Sequence, residues 1–264
     1  MIDKILVFIP CYNCETQIVR VLEQFRDQDI SRRFDTILVL DNGSTDNTVS
    51  AVLKKRSDLN HLPVIVGRNN ENYGLGGSHK VAFDYAIENE FTHVVVLHGD
   101  DQGSILDLMS EISAGNHNKY DCCLGARFHP SSRIVGYSKF RTFGNRVFNG
   151  IFTLAARRRV YDLGAGLNIY KTNMLKGRFY LKYSDDLRFN CYLLIGTISR
   201  NLTTHFFSIS WRESDQVSNV KLFSQSFHTL NIAIGYLFGK NSYLEMEHRQ
   251  SKRRQYSFIS IDKN

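Results

Sequence analysis

A short polar segment, 97–103, carries side chains well suited to chemistry. It places the imidazole of His98, the carboxylate of Asp100 and the amide of Gln102 directly after the apolar run 92–97. Such a run is typical of a buried parallel strand, so the polar groups fall at its carboxyl end, where open α/β sheets bind ligands. Donors of this kind suit Mg²⁺ or Mn²⁺ bridging the phosphates of a nucleotide. A solvated turn before an acidic helix start is the alternative interpretation.

Three more polar clusters follow other predicted strands. They are Pro10-Cys11-Tyr12-Asn13, Asp41-Asn42-Gly43-Ser44 and Asn72-Tyr73-Gly74-Leu75-Gly76-Gly77. The carboxyl ends of parallel strands share one edge of a sheet, so we expect all four clusters to converge. Glycines before a helix let backbone N–H groups approach a phosphate or sugar closely. The glycine cluster lacks the Gly-Lys-Ser/Thr ending of a Walker loop and follows the third strand, which argues against a dinucleotide-binding fingerprint.

The elements that must position these clusters alternate between strands and helices. Apolar runs predict strands over 4–9, 34–40, 64–66 and 92–97, and helical spacing predicts helices over 16–26 and 75–90. This alternation predicts an α/β fold with a doubly wound, mostly parallel sheet. After about residue 127 the pattern is less regular, with helical segments over 141–156 and 186–195 and a strand over 202–209. We expect one continuous domain, divided into halves 1–128 and 129–264.

Composition limits the class of protein. The 264 residues are 42% hydrophobic, enough for a proper core, and the net charge of +7 favours anionic partners without singling out nucleic acid. Five cysteines without disulfide-like spacing, and the absence of a signal-peptide pattern, predict a cytoplasmic protein. The stretch 227–238 is too short to span a bilayer, but it is compatible with a packed surface helix or with an amphipathic helix in a membrane interface.

In this order, the motifs resemble the GT-A family 2 glycosyltransferases, most closely the dolichyl- or polyprenyl-phosphate sugar synthases. The resemblance is specific across residues 4–128 and looser over 141–145, 163–170 and 211–221. The residues that carry it are Pro10-x-Tyr12-Asn13, Asp41-Asn42-Gly43-Ser44-Thr45-Asp46-x-Thr48, Gly74-Leu75-Gly76, Asp100-x-Gln102 and Gly125-Ala126-Arg127-Phe128, followed by Arg141 to Asn145, Leu163 to Tyr170, Trp211-Arg212, Ser218 and Lys221.

The resemblance implies a role for each matching residue. A nucleotide sugar would be held by Pro10, Tyr12, Asn13, Asp41, Gly74, Gly76 and Lys221. Asp100 and Gln102 would hold a divalent metal, Mg²⁺ or Mn²⁺, against the diphosphate, and Asp100 would thereby be catalytic. Arg127, Arg141 and Arg212, with Lys221, would grip the diphosphate and an acceptor phosphate through charge-assisted hydrogen bonds.

Two positions depart from the family pattern. His98 stands where the family usually opens its metal motif with Asp, and imidazole binds Mn²⁺ but suits Mg²⁺ poorly. His98 is therefore either a metal ligand or only a contact to the nucleotide. Cys14 stands where the family has Glu after Tyr-Asn, so one contact to the base or ribose is expected to be lost.

The acceptor decides the mechanism that the resemblance implies. We expect an inverting transfer of a hexose to a polyprenyl phosphate, an anionic nucleophile that needs no general base, on the inner face of a membrane. The alternative acceptor is a sugar hydroxyl in a surface polysaccharide, which needs a carboxylate base, and Asp185 or Asp186 lies at a suitable place in the sequence. Both residues also suit the start of the helix that follows. A non-catalytic protein that binds nucleotide sugars is the third possibility.

Overall fold

The computed structural model describes residues 3–215, 222–253 and 255–261. Within these residues the strands, labelled β1 to β10 in chain order, are Ile5–Cys11, Thr36–Asp41, Val64–Asn69, His93–Leu97, Cys122–Ala126, Arg133–Val135, Leu167–Lys171, Thr204–Ser208, Ser210–Arg212 and Phe258–Ser260. The helices, labelled α1 to α10, are Glu15–Glu23, Gln28–Ser31, Thr48–Arg56, Gly74–Glu88, Leu106–Ser113, Asn116–Lys119, Lys139–Ala156, Thr172–Leu175, Phe189–Ser199 and Leu222–Leu244. A short 3₁₀ helix, Ser57–Leu59, follows α3.

One large sheet organises the described part of the chain. Its eight strands lie in the order β10-β3-β2-β1-β4-β7-β5-β8, and β6 pairs with β9 in a separate small sheet. Strands β3, β2, β1 and β4 form a parallel block, and β5 is parallel to β8. Strand β7 lies antiparallel between β4 and β5, and β10 adds antiparallel to β3. The predicted α/β fold with a mostly parallel sheet is confirmed, and its antiparallel strands come late in the sequence.

Helices cover both faces of this sheet, as the doubly wound prediction requires. On β1, Leu6 and Phe8 face a core that includes side chains of α4, α7, α9 and α10. The alternating residues Val7 and Ile9 face a second core built with α1, α3 and α5. Side chains alternate between the two faces of a strand, so a continuous apolar strand such as β1 is buried on both sides.

The register of the sheet brings the polar clusters to one edge. Cys11, the last residue of β1, pairs with Asp41, the last residue of β2, and Asp41 pairs with Arg68 on β3. Strand β4 ends at Leu97, which pairs with Leu167 at the start of antiparallel β7. Strand β7 comes from the second half of the sequence and lies beside β4, so the sheet is continuous across residue 128. The division into two halves stays a prediction.

The predicted surface helix 227–238 lies within α10. One side of α10 is buried, with Ile232 and Tyr236 in the core, whereas Phe227 and Phe238 are exposed. None of the helices in the described ranges is long and apolar enough to cross a membrane.

Candidate functional site

A cleft of about 940 Å³ opens at the carboxyl edge of the parallel block. Residues from all four polar clusters line it, which is the convergence that the sequence predicted. The predicted site residues on its wall are Pro10, Tyr12, Asn13, Gly74, His98, Asp100, Gln102, Arg127 and Arg141. The remaining predicted residues lie behind the wall, beside it, or outside the described residues.

Asp41 lies just behind the cleft wall. Its buried carboxylate accepts hydrogen bonds from Arg68 Nε at 2.8 Å and from the backbone N–H of Ser44 at 3.1 Å. Burial raises the pKa of the Cys11 thiol well above its ordinary value, with contributions from Cys14 and from the carboxylates of Asp41 and Asp100. Asp41 and Asp100 therefore both lie near enough to the Cys11 thiol to act on it electrostatically, and their contact with one nucleotide stays a prediction.

Asn13 joins the first cluster to the second. Its backbone has a φ of 51°, in the left-handed region that Asn tolerates better than most residues. Its N–H donates to Ser44 Oγ at 2.9 Å, and its side-chain oxygen accepts from the N–H of Thr45 at 2.8 Å. The N–H of Cys14 donates to Thr48 Oγ1 at 2.9 Å, so the turn after β1 is fixed to the start of α3.

The glycine loop at the start of α4 is fixed from two sides. Asn42 accepts from the N–H of Tyr73 at 2.9 Å and donates to Asn72 at 2.8 Å, which ties the loop to the end of β2. Gly74 has a φ of +74°, and a Cβ there would lie 2.5 Å from the carbonyl oxygen of Asp185. A Cβ on Gly76 would lie 2.5 Å from the carbonyl oxygen of Ser184. Both glycines therefore allow close packing against the segment before α9, and Gly74 also lines the cleft.

His98 presents a buried nitrogen that lacks a protein partner. Its Nε2 atom has no hydrogen-bond partner within the described residues, and its ring packs closely on Gly166. Burial lowers the pKa of His98 to about 4, so the ring is neutral at pH 7. A neutral imidazole with a free nitrogen in a cleft is able to bind a cation or accept a hydrogen bond from a ligand.

Asp100 supplies the carboxylate next to this imidazole. Burial raises its pKa to about 6, and the N–H of Gln102 donates to it at 3.2 Å. Within the described ranges there is no group of three or more His, Cys, Asp or Glu side chains that could hold a metal ion. One carboxylate, one imidazole and one amide instead suit a cation that takes its other ligands from substrate phosphates, as Mg²⁺ usually does. The donor set therefore fits the predicted metal.

Arg127 is anchored in the cleft wall by Asp162. Nη2 lies 2.7 Å from Oδ1 and Nε lies 2.8 Å from Oδ2, and the N–H of Arg127 also donates to this carboxylate. Burial opposes the charged form of Arg127, but Asp162 outweighs it and raises the pKa above its ordinary value. The guanidinium carbon lies 5.1 Å from the ring of Trp211, so the charge is held in one orientation.

Arg141 is the second arginine of the cleft. It donates to both carboxylate oxygens of Glu213, at 2.8 and 3.0 Å, and lies over the ring of Tyr137. Glu213 also accepts a hydrogen bond from the amide of Gln102 at 3.4 Å. Glu213 thus links the predicted metal motif to the predicted phosphate-binding arginine.

Arg212 lies outside the cleft wall. It donates to the buried carboxylate of Asp101 at 2.6 Å, and Arg20 donates to the same oxygen at the same distance. Arg20 in turn pairs with Asp215. The role predicted for Arg212 at the diphosphate stays a prediction, and in this structure Arg212 fastens β9 to the loop after β4.

Asp185 and Asp186 are both engaged with cations. The Asp185 carboxylate accepts from Lys80 Nζ at 2.7 Å, Tyr256 OH at 2.7 Å and Arg253 Nη1 at 2.8 Å. Asp186 pairs with Arg188 and also accepts the N–H of Arg188 at 2.9 Å. Neither side chain belongs to the cleft wall, and the helix after them begins only at Phe189. The predicted base role stays a prediction that requires these pairs to open.

The last predicted residue, Lys221, lies outside the described residues. Sequence reasoning missed Glu213 and Asp162, which orient the two cleft arginines. The signal available for Glu213 was its place beside Trp211-Arg212, a segment that already carried the resemblance. Asp162 likewise stands directly before the resembling segment 163–170, but nothing local pointed to its partner, which is 35 residues away in the chain.

Comparison with known proteins identifies the family. The family model described as glycosyl transferase family 2 matches residues 6–179, more than half of the chain. The sequence is 29% identical over 255 residues to the poly(ribitol-phosphate) beta-N-acetylglucosaminyltransferase TarS of Staphylococcus aureus strain MW2, covering 93% of this chain and 42% of that protein. It is 23% identical over 232 residues to the dolichyl-phosphate beta-glucosyltransferase of Saccharomyces cerevisiae, covering 79% of this chain and 67% of that protein.

A solved structure shows the same fold. Glucosyl-3-phosphoglycerate synthase from Mycobacterium tuberculosis, in complex with Mn²⁺, UDP and glucosyl-3-phosphoglycerate, matches with a TM-score of 0.61 and 16% identity, over 88% of this chain and 80% of that one. This chain spans less than half the length of TarS. The family model, the match in fold and the cleft agree with the resemblance seen in the sequence: the chain belongs to glycosyl transferase family 2.

Proposed function

We propose that this protein is a metal-dependent, inverting glycosyltransferase that moves a hexose from a nucleotide sugar to a polyprenyl phosphate. One observation carries the proposal: the metal motif and two oriented arginines share one cleft with the predicted nucleotide-binding residues. A non-catalytic binding protein would not need His98, Asp100 and Arg127 around the same space. The expected location is the cytoplasmic face of a membrane.

The donor site would lie between the first two strands and the glycine loop. Tyr12 is half exposed on the cleft wall, and Asn13, Asn42 and Gly74 fix the backbone around it. Asp41 would act from behind this wall, where its carboxylate pairs with Arg68. The solved relative binds UDP, which supports a nucleoside diphosphate as the leaving group.

Asp100, His98 and Gln102 would hold the divalent cation. When bound, the cation neutralises the charge that develops on the leaving diphosphate. The relative crystallised with Mn²⁺ supports a divalent metal, and a neutral imidazole donor favours Mn²⁺ over Mg²⁺. Arg127, fixed by Asp162, would add a second positive charge that needs no reorganisation during the reaction.

The cleft supports a phosphate acceptor. Its arginines, Arg127 and Arg141, suit an anionic nucleophile, and the two predicted bases are tied up in ion pairs outside the wall. A phosphate oxygen attacks without a general base, and direct displacement inverts the configuration at C1. The similarity to a dolichyl-phosphate glucosyltransferase supports this acceptor.

A second candidate function is transfer to a sugar or polyol hydroxyl. The similarity to TarS, which covers 93% of this chain, favours it. A hydroxyl acceptor would need a carboxylate base, so either Asp185 would have to leave Lys80 and Arg253, or Asp186 would have to leave Arg188, and turn toward the cleft. This movement is the structural requirement that separates the two candidates.

Incubation of the purified protein with radiolabelled UDP-, GDP- and dTDP-sugars and Mn²⁺ tests the proposal. Label should enter undecaprenyl phosphate, whereas label entering only poly(ribitol phosphate) or an oligosaccharide would overturn the choice of acceptor. Asp100→Asn should lower the rate at least about a hundredfold through loss of cation binding. The matched control Asp58→Asn, which removes a surface partner of Lys55, should leave the rate unchanged. Nucleotide-sugar binding without turnover under any metal would favour a non-catalytic binding protein.

A further inference from the structure

Helices α7 and α10 pack against each other and expose a row of large apolar side chains. We name this surface the α7–α10 face and define it by Phe143, Val147, Leu154, Phe227, Leu237 and Phe238. On α7, Val147 follows Phe143 by four residues and Leu154 follows Val147 by seven, a spacing that places these three side chains on one side of the helix. Phe238 is 83% exposed and Leu154 is 79% exposed. Large apolar side chains exposed together on two packed helices favour an interaction site.

Basic residues surround this apolar row. The segment 139–159 contains six Lys or Arg residues and no Asp or Glu, and the segment 222–244 contains Lys240 and no acidic residue. Lys139, Arg146, Arg157 and Arg158 are exposed, and within the described ranges none of them has an acidic partner. The face is therefore both apolar and positively charged.

The same two helices form part of the cleft wall. Phe140 and Phe148 of α7 and Thr229 of α10 line the cleft, so the face continues into the site. An acceptor that enters the cleft on this side would therefore come from the partner that covers the face.

We propose that the α7–α10 face binds the surface of an anionic lipid bilayer, with the phenylalanines in the interface and the arginines at the headgroups. Amphipathic helices with aromatic residues on one side and Lys or Arg around them bind membranes in this way. A symmetric contact with a second copy would bring like charges together, which opposes association. The inference rests on the proposed function, which expects the protein at a membrane, and it names the surface that makes the contact; vesicle binding is measurable without sugar transfer.

Co-sedimentation with vesicles tests the face. The full chain should bind vesicles containing about one third phosphatidylglycerol much more tightly than pure phosphatidylcholine vesicles, and about 0.5 M salt should release it because screening shortens the range of the attraction. The triple variant Phe143→Ser, Leu154→Ser, Phe238→Ser should bind at least about tenfold more weakly. The triple variant Lys139→Gln, Arg146→Gln, Arg158→Gln should also bind at least about tenfold more weakly.

The matched control combines Leu106→Ser on α5 with Lys54→Gln on α3, an exposed apolar residue and an exposed lysine on the other side of the sheet. It should bind vesicles as the natural sequence does, and unchanged circular dichroism should show that all variants fold. Equal binding to neutral and anionic vesicles, no binding at all, or variants that bind normally would overturn the proposal. So would a concentration-dependent dimer that the phenylalanine variant abolishes. Vesicle binding without transfer to undecaprenyl phosphate would support membrane binding by the α7–α10 face and contradict the proposed acceptor.

Discussion

The Arg127 guanidinium and the Asp162 carboxylate form a two-point ion pair in the cleft wall, with N–O distances of 2.7 and 2.8 Å. Both side chains are largely buried, so neither charge is solvated if the other is removed. The pair therefore fixes the direction of the positive charge that faces the cleft, and it does so before any ligand binds. Removing either partner should therefore affect both the stability and the activity of the protein.

Asp162→Asn should lower the free energy of unfolding by about 3 kcal/mol, because it leaves the buried Arg127 charge without its carboxylate. Urea denaturation measures the change. The same variant should also lower the transfer rate, since the guanidinium loses its fixed orientation. Asp58→Asn breaks an exposed pair with Lys55 and should cost less than about 1 kcal/mol. Equal effects of the two variants would contradict a structural role for Asp162.

Gly74→Ala should destabilise the protein and weaken donor binding. A Cβ at this position meets the carbonyl oxygen of Asp185 at 2.5 Å, and the φ of +74° is unfavourable for alanine. We expect a loss of about 3 kcal/mol, from the strained φ and the clash together. Urea denaturation and the KM for the nucleotide sugar measure the two effects.

Gly115→Ala is the control that separates strain from contact. Gly115 has a φ of +69°, but a Cβ there would meet nothing within 4 Å. This variant should lower the free energy of unfolding by about 1 kcal/mol, through backbone strain alone, and leave the KM for the nucleotide sugar unchanged. If both alanine variants lower the free energy of unfolding by the same amount, the close approach of Asp185 to the glycine loop has no energetic consequence.

His98→Asp should shift the metal preference toward Mg²⁺. Replacing a neutral imidazole with a carboxylate exchanges a nitrogen donor for the oxygen donor that Mg²⁺ prefers. We expect the ratio of the rate with Mg²⁺ to the rate with Mn²⁺ to rise by about tenfold or more. Rates measured across both metals provide the test, with His98→Asn as the uncharged comparison. A ratio that does not change in either variant would place His98 outside the metal site.

Acid should destabilise the protein below about pH 6.5, the ordinary pKa of histidine. Burial lowers the pKa of His79 to about 3 and the pKa of His93 to about 4. The unfolded chain therefore takes up protons in this range that the folded protein does not, so stability falls as the pH falls. Each such histidine adds about 1.4 kcal/mol per pH unit to the slope between pH 6.5 and its own folded-state pKa.

His79→Phe checks this assignment. The ring packs edge-on against Phe8 and Phe83, so a phenylalanine keeps most of the contacts and removes one titrating group. Urea unfolding between pH 6.5 and 5 should show a shallower decrease in stability than the natural sequence shows. An identical slope would mean that His79 is protonated in the folded state.

Local spacing in the sequence was sufficient to predict the parallel block. The strands of 4–9, 34–40, 64–66 and 92–97 all appear, with ends shifted by a few residues, since apolar runs record burial on both faces of a sheet. The antiparallel strands β7 and β10 were not predicted. Strand β7 has five residues and is interrupted by the polar Asn168, and β10 has only three residues, so neither leaves a clear periodic signal.

The chain by itself determined the family, the fold class and the edge at which the polar clusters meet. Those features follow from the order of short motifs and from the rule that parallel strands share their carboxyl ends. Only the tertiary structure decided which charges face the cleft. It placed Arg127 and Arg141 on the wall, turned Arg212 to Asp101, and enclosed Asp185 with Lys80 and Arg253. The partners in such ion pairs are as far as 111 residues apart in the chain, and no local pattern encodes a contact that exists only after the helices pack.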